Sequence, residues 1–495
     1  MSIDLSLDRL RCLVDHLPTY TRPTIHIAGT NGKGSVSAYL SHIFSSSQPP
    51  LKVGRYNSPH LLVPSDCITI HNAPIPADIY AAASAVIEEA DKTHDSKLSS
   101  FELLTLTALR VFEEAKVDVA VVEVGMGGRL DATNIIPTSA ILASALTSVD
   151  LDHQAFLGPT VSHIAKEKAG IARPGRPFII GKQKYSEVHD VVQSVVAESG
   201  GVLLPAVDVS RRSWDPELDG EQSSFSLRLD SFKEPTHQPI SCRLPCFGDD
   251  LNASLPLFGD HQLDNLGVAL GVISSLFTHA PAEIATQICP QSKLTLQSIA
   301  DGIRATRWPG RLSFHSISVP PPDSRSSPTK AVVLVDGAHN PASSQSFGDY
   351  LSYLISILSP RPKRLQLTYI IALSHSPPKT PAQTLLPLLP VSLKGTHDSP
   401  EIVTKAAFLR FTPPEGMPWV KSVPPSELQR VVSNLVPGVE TWVAGDDEMV
   451  GTAGDLKNEQ MLDALRWAIS SSCDESLIVV VGSLYLVADF YRLGL

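Results

Sequence analysis

Apolar residues in this chain follow two alternating rhythms. Short, nearly continuous runs read as strands buried on both faces: 117–124, 140–149, 178–180, 331–335, 367–373, 439–443 and 477–481. Between them apolar residues recur at helical spacing. In Ser35–Phe44 they are Val36, Tyr39, Leu40, Ile43 and Phe44. Buried strands alternating with helices predict an α/β protein with a mostly parallel sheet. No internal repeat is visible. Segment 205–257 breaks the rhythm: it is polar, rich in Ser, Asp and Pro, and the alternation Phe225-Ser-Leu-Arg-Leu229 predicts an antiparallel excursion. The stretches 315–330, with Pro320-Pro-Pro322, and 374–400, also Pro-rich, read as surface insertions.

A chain of 495 residues is too long for one core, so two domains are expected, 1–303 and 304–495, divided just before Arg307-Trp-Pro-Gly-Arg311. Hydrophobic residues at 43% and charged residues at 18% are ordinary globular values. The net charge of −11 argues against a nucleic-acid binder but allows a small anionic substrate. The six cysteines, at 12, 67, 242, 246, 289 and 473, form no CxxC and no Cys/His cluster, as expected of reduced thiols. The N-terminus resembles neither a signal nor a transit peptide, and no run reaches the roughly 18 apolar residues of a membrane span. A cytoplasmic protein is expected.

The densest chemical signal is Thr24-Ile-His-Ile-Ala-Gly-Thr-Asn-Gly-Lys-Gly-Ser35. A strand, a glycine turn with a lysine and a helix are the parts of a phosphate cradle. The spacing departs from G-x-x-x-x-G-K-[ST]. Two residues separate Gly29 from Gly32, and Gly34 stands between Lys33 and Ser35. Phosphoryl chemistry needs a divalent metal, and three residues are candidate ligands. Ser58 follows the first helix, Glu123 ends a buried strand, and His153 follows the next one. Strand ends of a parallel sheet share one edge, so Glu123 and His153 can converge on a metal at the phosphates. Each also has a plain structural alternative: a capping carboxylate, a hydrogen-bonded histidine, a turn serine.

Together these segments resemble the folylpolyglutamate synthase/dihydrofolate synthase family, relatives of the Mur ligases. Matching motifs run along most of the chain. They are Gly29–Ser35, Ser58-Pro-His-Leu61, Phe101-Glu102, Glu123–Asn134, Asp152-His153, Glu167-Lys-Ala-Gly170, Gly259–Asn265, Trp308-Pro-Gly-Arg311, Asp336-Gly-Ala-His-Asn-Pro341 and Gly482-Ser-Leu-Tyr-Leu486. The resemblance implies an N-terminal P-loop ATPase domain that binds ATP and a pterin, and a C-terminal Rossmann-like domain that binds glutamate. It places the ATP phosphates on Gly29, Thr30, Asn31, Gly32, Lys33, Gly34 and Ser35, with Asn265, Arg311 and Asp336 also contacting the nucleotide. It gives one magnesium to Ser58 and Glu123 and a second to His153. Lys168 matches a lysine that this family carboxylates, which would make it an anionic oxygen ligand. Because Arg311 and Asp336 come from the C-terminal half, it implies an active site in the cleft between domains.

His339 and Ser483 match positions near the incoming glutamate; a strand-end hydrogen bond and a helix cap are the alternatives. Ser99, Phe101, Asp131 and Ala132 match the dihydropteroate site, with a core phenylalanine and a loop-capping aspartate as the competing readings. Arg129 suits a substrate carboxylate or a structural ion pair. Two departures stand out: the insertions, and the strand end Ala372-Leu-Ser-His-Ser376, which lacks the acidic and basic residues often found there.

The implied reaction is ATP-dependent. The pterin carboxylate becomes an acyl phosphate, and the amine of L-glutamate displaces phosphate after a base, His339 or Asp336, takes its proton. The motif wording is closer to dihydrofolate synthases and bifunctional bacterial enzymes than to eukaryotic polyglutamate synthases, and the Pro/Ser-rich insertions with the stretch Phe411–Trp419 resemble a fungal dihydrofolate synthase; a folylpolyglutamate synthase or bifunctional enzyme that adds glutamates to reduced folates is the alternative. The expected partners are 7,8-dihydropteroate and L-glutamate, the expected cofactors ATP and two Mg2+, and the expected state a monomer without nucleic-acid or membrane partners. A non-catalytic binding protein on this fold would have lost Lys33, Glu123, His153 or Lys168. A switch GTPase would carry N-K-x-D, and none is present.

Overall fold

A computed structural model describes residues 6–279, 288, 290–322, 327–389, 400–414, 420–445, 455–470 and 475–495. The chain divides into two compact units. The first comprises Met1–Trp214, Gln238–Pro256 and His261–Arg307; the second comprises Asp215–His237, Leu257–Asp260 and Trp308–Leu495.

The first unit holds an eight-stranded sheet. Its strands are β1 Thr24–Ala28, β2 Val53–Tyr56, β3 Ile68–Ile70, β4 Ala73–Pro74, β5 Val119–Glu123, β6 Ile141–Leu146, β7 Pro177–Ile180 and β8 Val202–Pro205. The order is β4-β3-β2-β5-β1-β6-β7-β8. All pairs from β2 to β8 are parallel; β3 and β4 add antiparallel at one end. The chain leaves β1 toward β2 and later returns to its other side at β6, so the order reverses at β1. Ligands of open α/β sheets sit at the carboxyl end of that position. The helix Lys33–Ser45 follows β1 and buries Val36, Tyr39, Leu40, Ile43 and Phe44, the residues its spacing marked. A separate antiparallel sheet, β9 Val209–Arg211, β10 Gln238–Arg243 and β11 Asp250–Leu255, has the order β11-β10-β9.

The second unit holds a six-stranded sheet of β12 Ser313–Val319, β13 Thr329–Val335, β14 Arg364–Ile371, β15 Glu401–Phe408, β16 Glu440–Val443 and β17 Ser476–Val481. Its order is β12-β13-β17-β14-β15-β16, with only β12–β13 antiparallel. Leu334, Leu367, Ile371, Phe408, Val479 and Val481 form its buried core. The helix Pro341–Ser356 starts on a capping box: Asn340 Oδ1 accepts from Ser343 N (2.9 Å), and Ser343 Oγ accepts from Asn340 N (3.1 Å).

Three expectations change. The antiparallel excursion exists, but Phe225–Leu229 is not in it. Phe225 and Leu227 are buried in the core of the second unit, and Phe225 makes a single bridge to Leu358. The stretch 315–330 is not wholly an insertion. Its first residues belong to β12, whose Phe314, Ile317 and Val319 are buried, and residues 323–326 lie outside the described set. Within 374–400, the helix Pro381–Leu385 and the turn after it bury Thr384, Leu385, Leu388 and Leu389; residues 390–399 are not described. The Pro-rich Phe411–Trp419 is described only to 414, and Cys289 and Cys473 are not described. The described cysteines Cys12, Cys67, Cys242 and Cys246 are free thiols. Among the described residues no helix is long and apolar enough to cross a membrane.

Candidate active site

In the first unit the loop after β1 is built of backbone. Gly29 has φ +150° and Gly32 φ +92°, values that L side chains rarely adopt. Space excludes a side chain too. A Cβ on Gly29 would lie 1.8 Å from Thr147 Oγ1, and one on Gly32 would lie 2.1 Å from Asn265 Oδ1. Thr147 Oγ1 donates to Asn31 O (2.6 Å), and Thr30 N donates to Ser148 O (2.8 Å), so the residues after β6 brace the loop. Asn265 Nδ2 donates to Gln262 Oε1 (3.1 Å), and Gln262 Nε2 donates to Ser35 Oγ (3.2 Å), which ties the helix His261–Thr278 to the start of Lys33–Ser45.

Two lysines meet at this loop. Lys33 Nζ donates to Gly29 O (3.1 Å) and Thr30 O (3.4 Å) and lies 3.7 Å from Glu123 Oε1. Lys168, on the helix Val161–Ala169, is buried and also donates to Gly29 O (2.8 Å). Burial, and then the neighbouring Lys33 ammonium, lower the Lys168 amine to about 7. Glu123 is buried at the end of β5, and its Oε2 accepts from Asn57 Nδ2 (2.6 Å). Ser58 follows β2 and His153 follows β6, so the four neighbouring strands β2, β5, β1 and β6 deliver Ser58, Glu123, the loop and His153 to one edge. His153 has φ +51° and opens the short helix Gln154–Leu157.

These groups fit a magnesium-bound nucleotide. Among the described residues no three His, Cys, Asp or Glu form a metal-holding group. Mg2+ needs no such cage, since one or two carboxylates plus phosphate and water oxygens suffice. A buried carboxylate beside a glycine loop and a lysine is that donor set.

Ser99 is the N-cap of the helix Ser100–Glu114: its Oγ accepts from Glu102 N, and its N–H and hydroxyl donate to Glu102 Oε2 (2.7 Å each). Phe101 is partly buried and packs against the Gly125 backbone, where a Cβ would lie 2.3 Å from its ring. Asp131 is buried and loop-capping. Its Oδ1 accepts from Thr133 N (3.0 Å) and Thr133 Oγ1 (2.5 Å), and its Oδ2 accepts from Met126 N (2.8 Å). Burial raises its pKa against the pull of these bonds. Ala132 is buried beside it. Arg129 makes the structural ion pair, with Nη2 2.9 Å from Glu167 Oε1 and Nε bonded to the same carboxylate.

In the second unit Asp336 is buried at the end of β13. Its Oδ2 accepts from Leu312 N (2.8 Å) and its Oδ1 from Ala338 N (2.7 Å). Burial raises its pKa, opposed first by Arg311. Its two oxygens staple the Trp308–Leu312 loop to the 337–339 loop. Arg311 Nη1 donates to Gly310 O (2.9 Å). His339 Nδ1 lies 2.8 Å from Gly337 O. A carbonyl only accepts, so Nδ1 carries the proton and Nε2 is the basic nitrogen of the neutral ring. Ser483 is buried and caps the helix Leu484–Arg492, accepting from Tyr485 N (3.2 Å).

Known proteins bear on this arrangement. The family described as dihydrofolate synthetase, C-terminal domain, matches residues 321–493. The dihydrofolate synthetase of Saccharomyces cerevisiae is 32% identical over 100% of this chain and 98% of its own length. The chain belongs to the dihydrofolate synthetase family. A probable dihydrofolate synthetase of Schizosaccharomyces pombe is 30% identical over 99% of both chains. Among solved structures of related synthases, a Mycobacterium tuberculosis folylpolyglutamate synthase complexed with ADP and AMPPCP has a TM-score of 0.70, 25% identity, and coverage of 99% of this chain and 95% of that one. Escherichia coli FolC in complex with DHPP and ADP has a TM-score of 0.68 at 25% identity, covering 100% and 94%.

For this dihydrofolate synthetase family member, the motifs found the loop, both lysines and Glu123. They missed Asn57, which holds Glu123, and Thr147, which braces Asn31. Asn57 stands next to Ser58 and could have been read with it. Thr147 carries no local signal, because its partners are distant in sequence. His26 was also missed: buried in β1, its Nε2 lies 2.8 Å from Thr133 Oγ1.

Proposed function

We propose that this protein is a dihydrofolate synthase, joining L-glutamate to 7,8-dihydropteroate with ATP to give 7,8-dihydrofolate, ADP and phosphate. The observation that carries this is the intact cradle, with Lys33, Lys168 and Glu123 gathered at Gly29, in a chain matching dihydrofolate synthetases from end to end.

The first unit handles ATP and the pterin, and residues of the second handle glutamate. Amides of Gly29–Ser35 and the Lys33 ammonium hold the phosphates, with Asn265, Arg311 and Asp336 as further nucleotide contacts or supports. Ser58, Glu123, His153 and Lys168, once carboxylated, would hold two magnesium ions. Bound magnesium supplies neutralisation of charge on the transferring phosphoryl group. Phe101 offers its ring to the pterin, while Ser99, Asp131 and Ala132 shape the loops around it. The pterin carboxylate attacks the γ-phosphorus in line, giving an acyl phosphate and ADP. His339 Nε2 takes a proton from the glutamate ammonium. The neutral amine attacks the acyl carbon, and phosphate leaves. Lys168 reacts as a neutral amine with CO2, forming an N–C bond and releasing a proton. Burial favours that neutral form.

The reaction takes place in the cytoplasm, in a monomer without nucleic-acid or membrane partners; the net charge of −11 speaks against a nucleic-acid partner. Dihydropteroate and tetrahydrofolate present reacting carboxylates one glutamate apart, several ångströms along the chain. A displacement of about 1 Å can cost on the order of 10²-fold, so a single pterin pocket serves the shorter acceptor.

The test incubates purified protein with ATP, glutamate and each acceptor, and reads products by mass. Dihydrofolate from dihydropteroate is expected, with little extension of tetrahydrofolate. Lys33→Ala should lose on the order of 10² to 10³ in rate and stay folded. No product from dihydropteroate would defeat the proposal; comparable turnover of tetrahydrofolate would make the protein bifunctional.

A further inference from the structure

One oxygen of the buried Glu123 carboxylate is held by a neutral amide. Asn57 Nδ2 donates to Glu123 Oε2 (2.6 Å) and to Ser37 Oγ (2.7 Å), and Ser37 Oγ donates in turn to Gly34 O (2.8 Å). The donors in this chain are fixed by chemistry. A carbonyl only accepts, so the Ser37 proton points at Gly34 and its oxygen accepts from Asn57. An ionised carboxylate also only accepts, so the Asn57 amide turns its nitrogen to both neighbours. The Asn57 backbone is held as well, its N donating to Cys67 O (2.9 Å). Asn57 and Ser37 are both buried. Asn57 therefore cannot turn aside without breaking bonds to the helix Lys33–Ser45 and to Cys67 beside β3. The second carboxylate oxygen, Glu123 Oε1, faces the Lys33 ammonium at 3.7 Å.

We infer that Asn57 makes this protein select Mg2+ over Ca2+, by reserving Oε2 of Glu123 so that a metal at the nucleotide is taken by Oε1 alone. The inference rests on the reading of Glu123 as a ligand of the nucleotide's metal and names the residue that sets how it binds. The two ions differ in what they require of a carboxylate. Mg2+ demands a near-ideal octahedron at about 2.0–2.1 Å. Ca2+ takes about six to eight oxygens at about 2.3–2.6 Å and readily accepts both oxygens of one carboxylate. Chelation through both oxygens of Glu123 would set a doubly charged ion against the Asn57 N–H. Ser37 and Cys67 leave that amide nowhere to retreat. One oxygen in a fixed place is instead what a small ion of strict geometry needs. Asn57 touches neither metal nor substrate in this arrangement. It is a positioning residue that acts through Glu123.

The test is calorimetric binding of the non-hydrolysable ATP analogue AMPPCP to the full-length protein. It is run with Mg2+, with Ca2+ and with EDTA, for wild type, Asn57→Leu and Ser37→Ala. Wild type should bind the analogue more tightly with Mg2+ than with Ca2+. Losing a partner that orients a metal ligand typically costs about 10- to 100-fold in metal affinity. Asn57→Leu keeps the volume of the side chain and removes the donor. It should lose about that factor with Mg2+ and little with Ca2+, so the Mg2+/Ca2+ ratio of affinities falls by the same factor. Ser37→Ala removes only the brace behind Asn57 and should lower the ratio by a smaller factor, which keeps the test open if Asn57→Leu fails to fold. Binding in EDTA reports the loop without metal and should stay as in wild type. An unchanged ratio in every variant that folds would overturn the inference. So would an equal loss with both metals and in EDTA, which marks a damaged loop, or a wild type without preference for Mg2+. Product analysis with dihydropteroate is independent of this readout. If no dihydrofolate forms yet the ratio falls in Asn57→Leu, the inference stands and the dihydrofolate synthase reading falls. If dihydrofolate forms and the ratio does not move, the reverse holds.

Discussion

His26 should make the first unit sensitive to acid. It lies in the middle of β1 with no exposed surface, and its Nε2 faces Thr133 Oγ1 at 2.8 Å. The Thr133 hydroxyl donates to Asp131 Oδ1, so the Nε2 contact must be donated by the imidazole. That fixes the neutral tautomer with its proton on Nε2, and Nδ1 has no partner. A proton on Nδ1 would create a buried charge with no acceptor. Burial, and then the nearby Arg173 guanidinium, lower the His26 pKa from 6.5 to about 3. In the unfolded chain the ring titrates near 6.5 and binds a proton that the folded protein refuses. Stability therefore falls as pH drops from about 6.5 toward 3, by at most about 1.4 kcal/mol per pH unit and on the order of 5 kcal/mol over the whole window. Above about 6.5 this group gives no pH dependence. His26→Val removes the titration and costs about 1 kcal/mol at all pH values through the lost bond to Thr133. The two stability curves should cross below pH 6.5, the variant becoming the more stable. Pulse-labelling hydrogen exchange in urea, read on the peptide containing β1 from pH 4 to 7.5, measures both curves in this unit alone. Parallel curves below pH 6.5, or a ring titrating near 6.5 in the folded protein, would refute the reasoning.

Three further outcomes are expected. Lys168→Ala should lose ligation by about 10²-fold or more, and short carboxylates such as acetate should restore part of it; full activity without them would remove Lys168 from the site. Gly32→Ala should destabilise the first unit twice over, by about 1–2 kcal/mol from left-handed backbone and about 1–3 kcal/mol from the collision with Asn265. Adding Asn265→Ala should return only the second part, measured by urea unfolding. Asp336→Asn leaves one of the two backbone N–H groups, Leu312 or Ala338, facing a donor, at about 1–3 kcal/mol; faster proteolysis within 308–312 and a lower unfolding midpoint of the second unit are the readouts.

What the sequence disclosed was whatever its signal kept local. β1, the glycine turn and Lys33–Ser45 are contiguous, and their spacing carries them. β15 went unread because Ala406 and Ala407 are small and Lys405 looks like a surface residue. In the sheet the Lys405 stem is buried, with its ammonium 3.0 Å from Glu440 and over the Trp467 ring. β12 was hidden by the prolines that follow it. Phe225 was assigned to its sequence neighbours, but its packing partners Phe314 and Leu358 lie far along the chain. At the site, Lys33, Glu123 and Lys168 were legible as motif members. Ser483 and Asp131 were legible as a helix cap and a loop cap, the alternatives to their binding roles, and they form those caps; the cap formed by Ser99 was not read. Ser99-Ser-Phe-Glu102 has the S-x-x-E spacing of a capping box and could have marked it.

The Asp336 staple has a thermodynamic corollary. One carboxylate fastens the loop bearing Arg311 and the loop bearing His339, so the two cannot rearrange independently. A ligand that draws Arg311 toward itself shifts the same equilibrium that sets His339. Linkage then makes the effect reciprocal: whatever factor an anion at Arg311 adds to amino-acid affinity, the amino acid returns to the anion. If nucleotide and amino acid bind as proposed, heterotropic cooperativity between them would arise inside the second unit, carried by two hydrogen bonds to a single side chain.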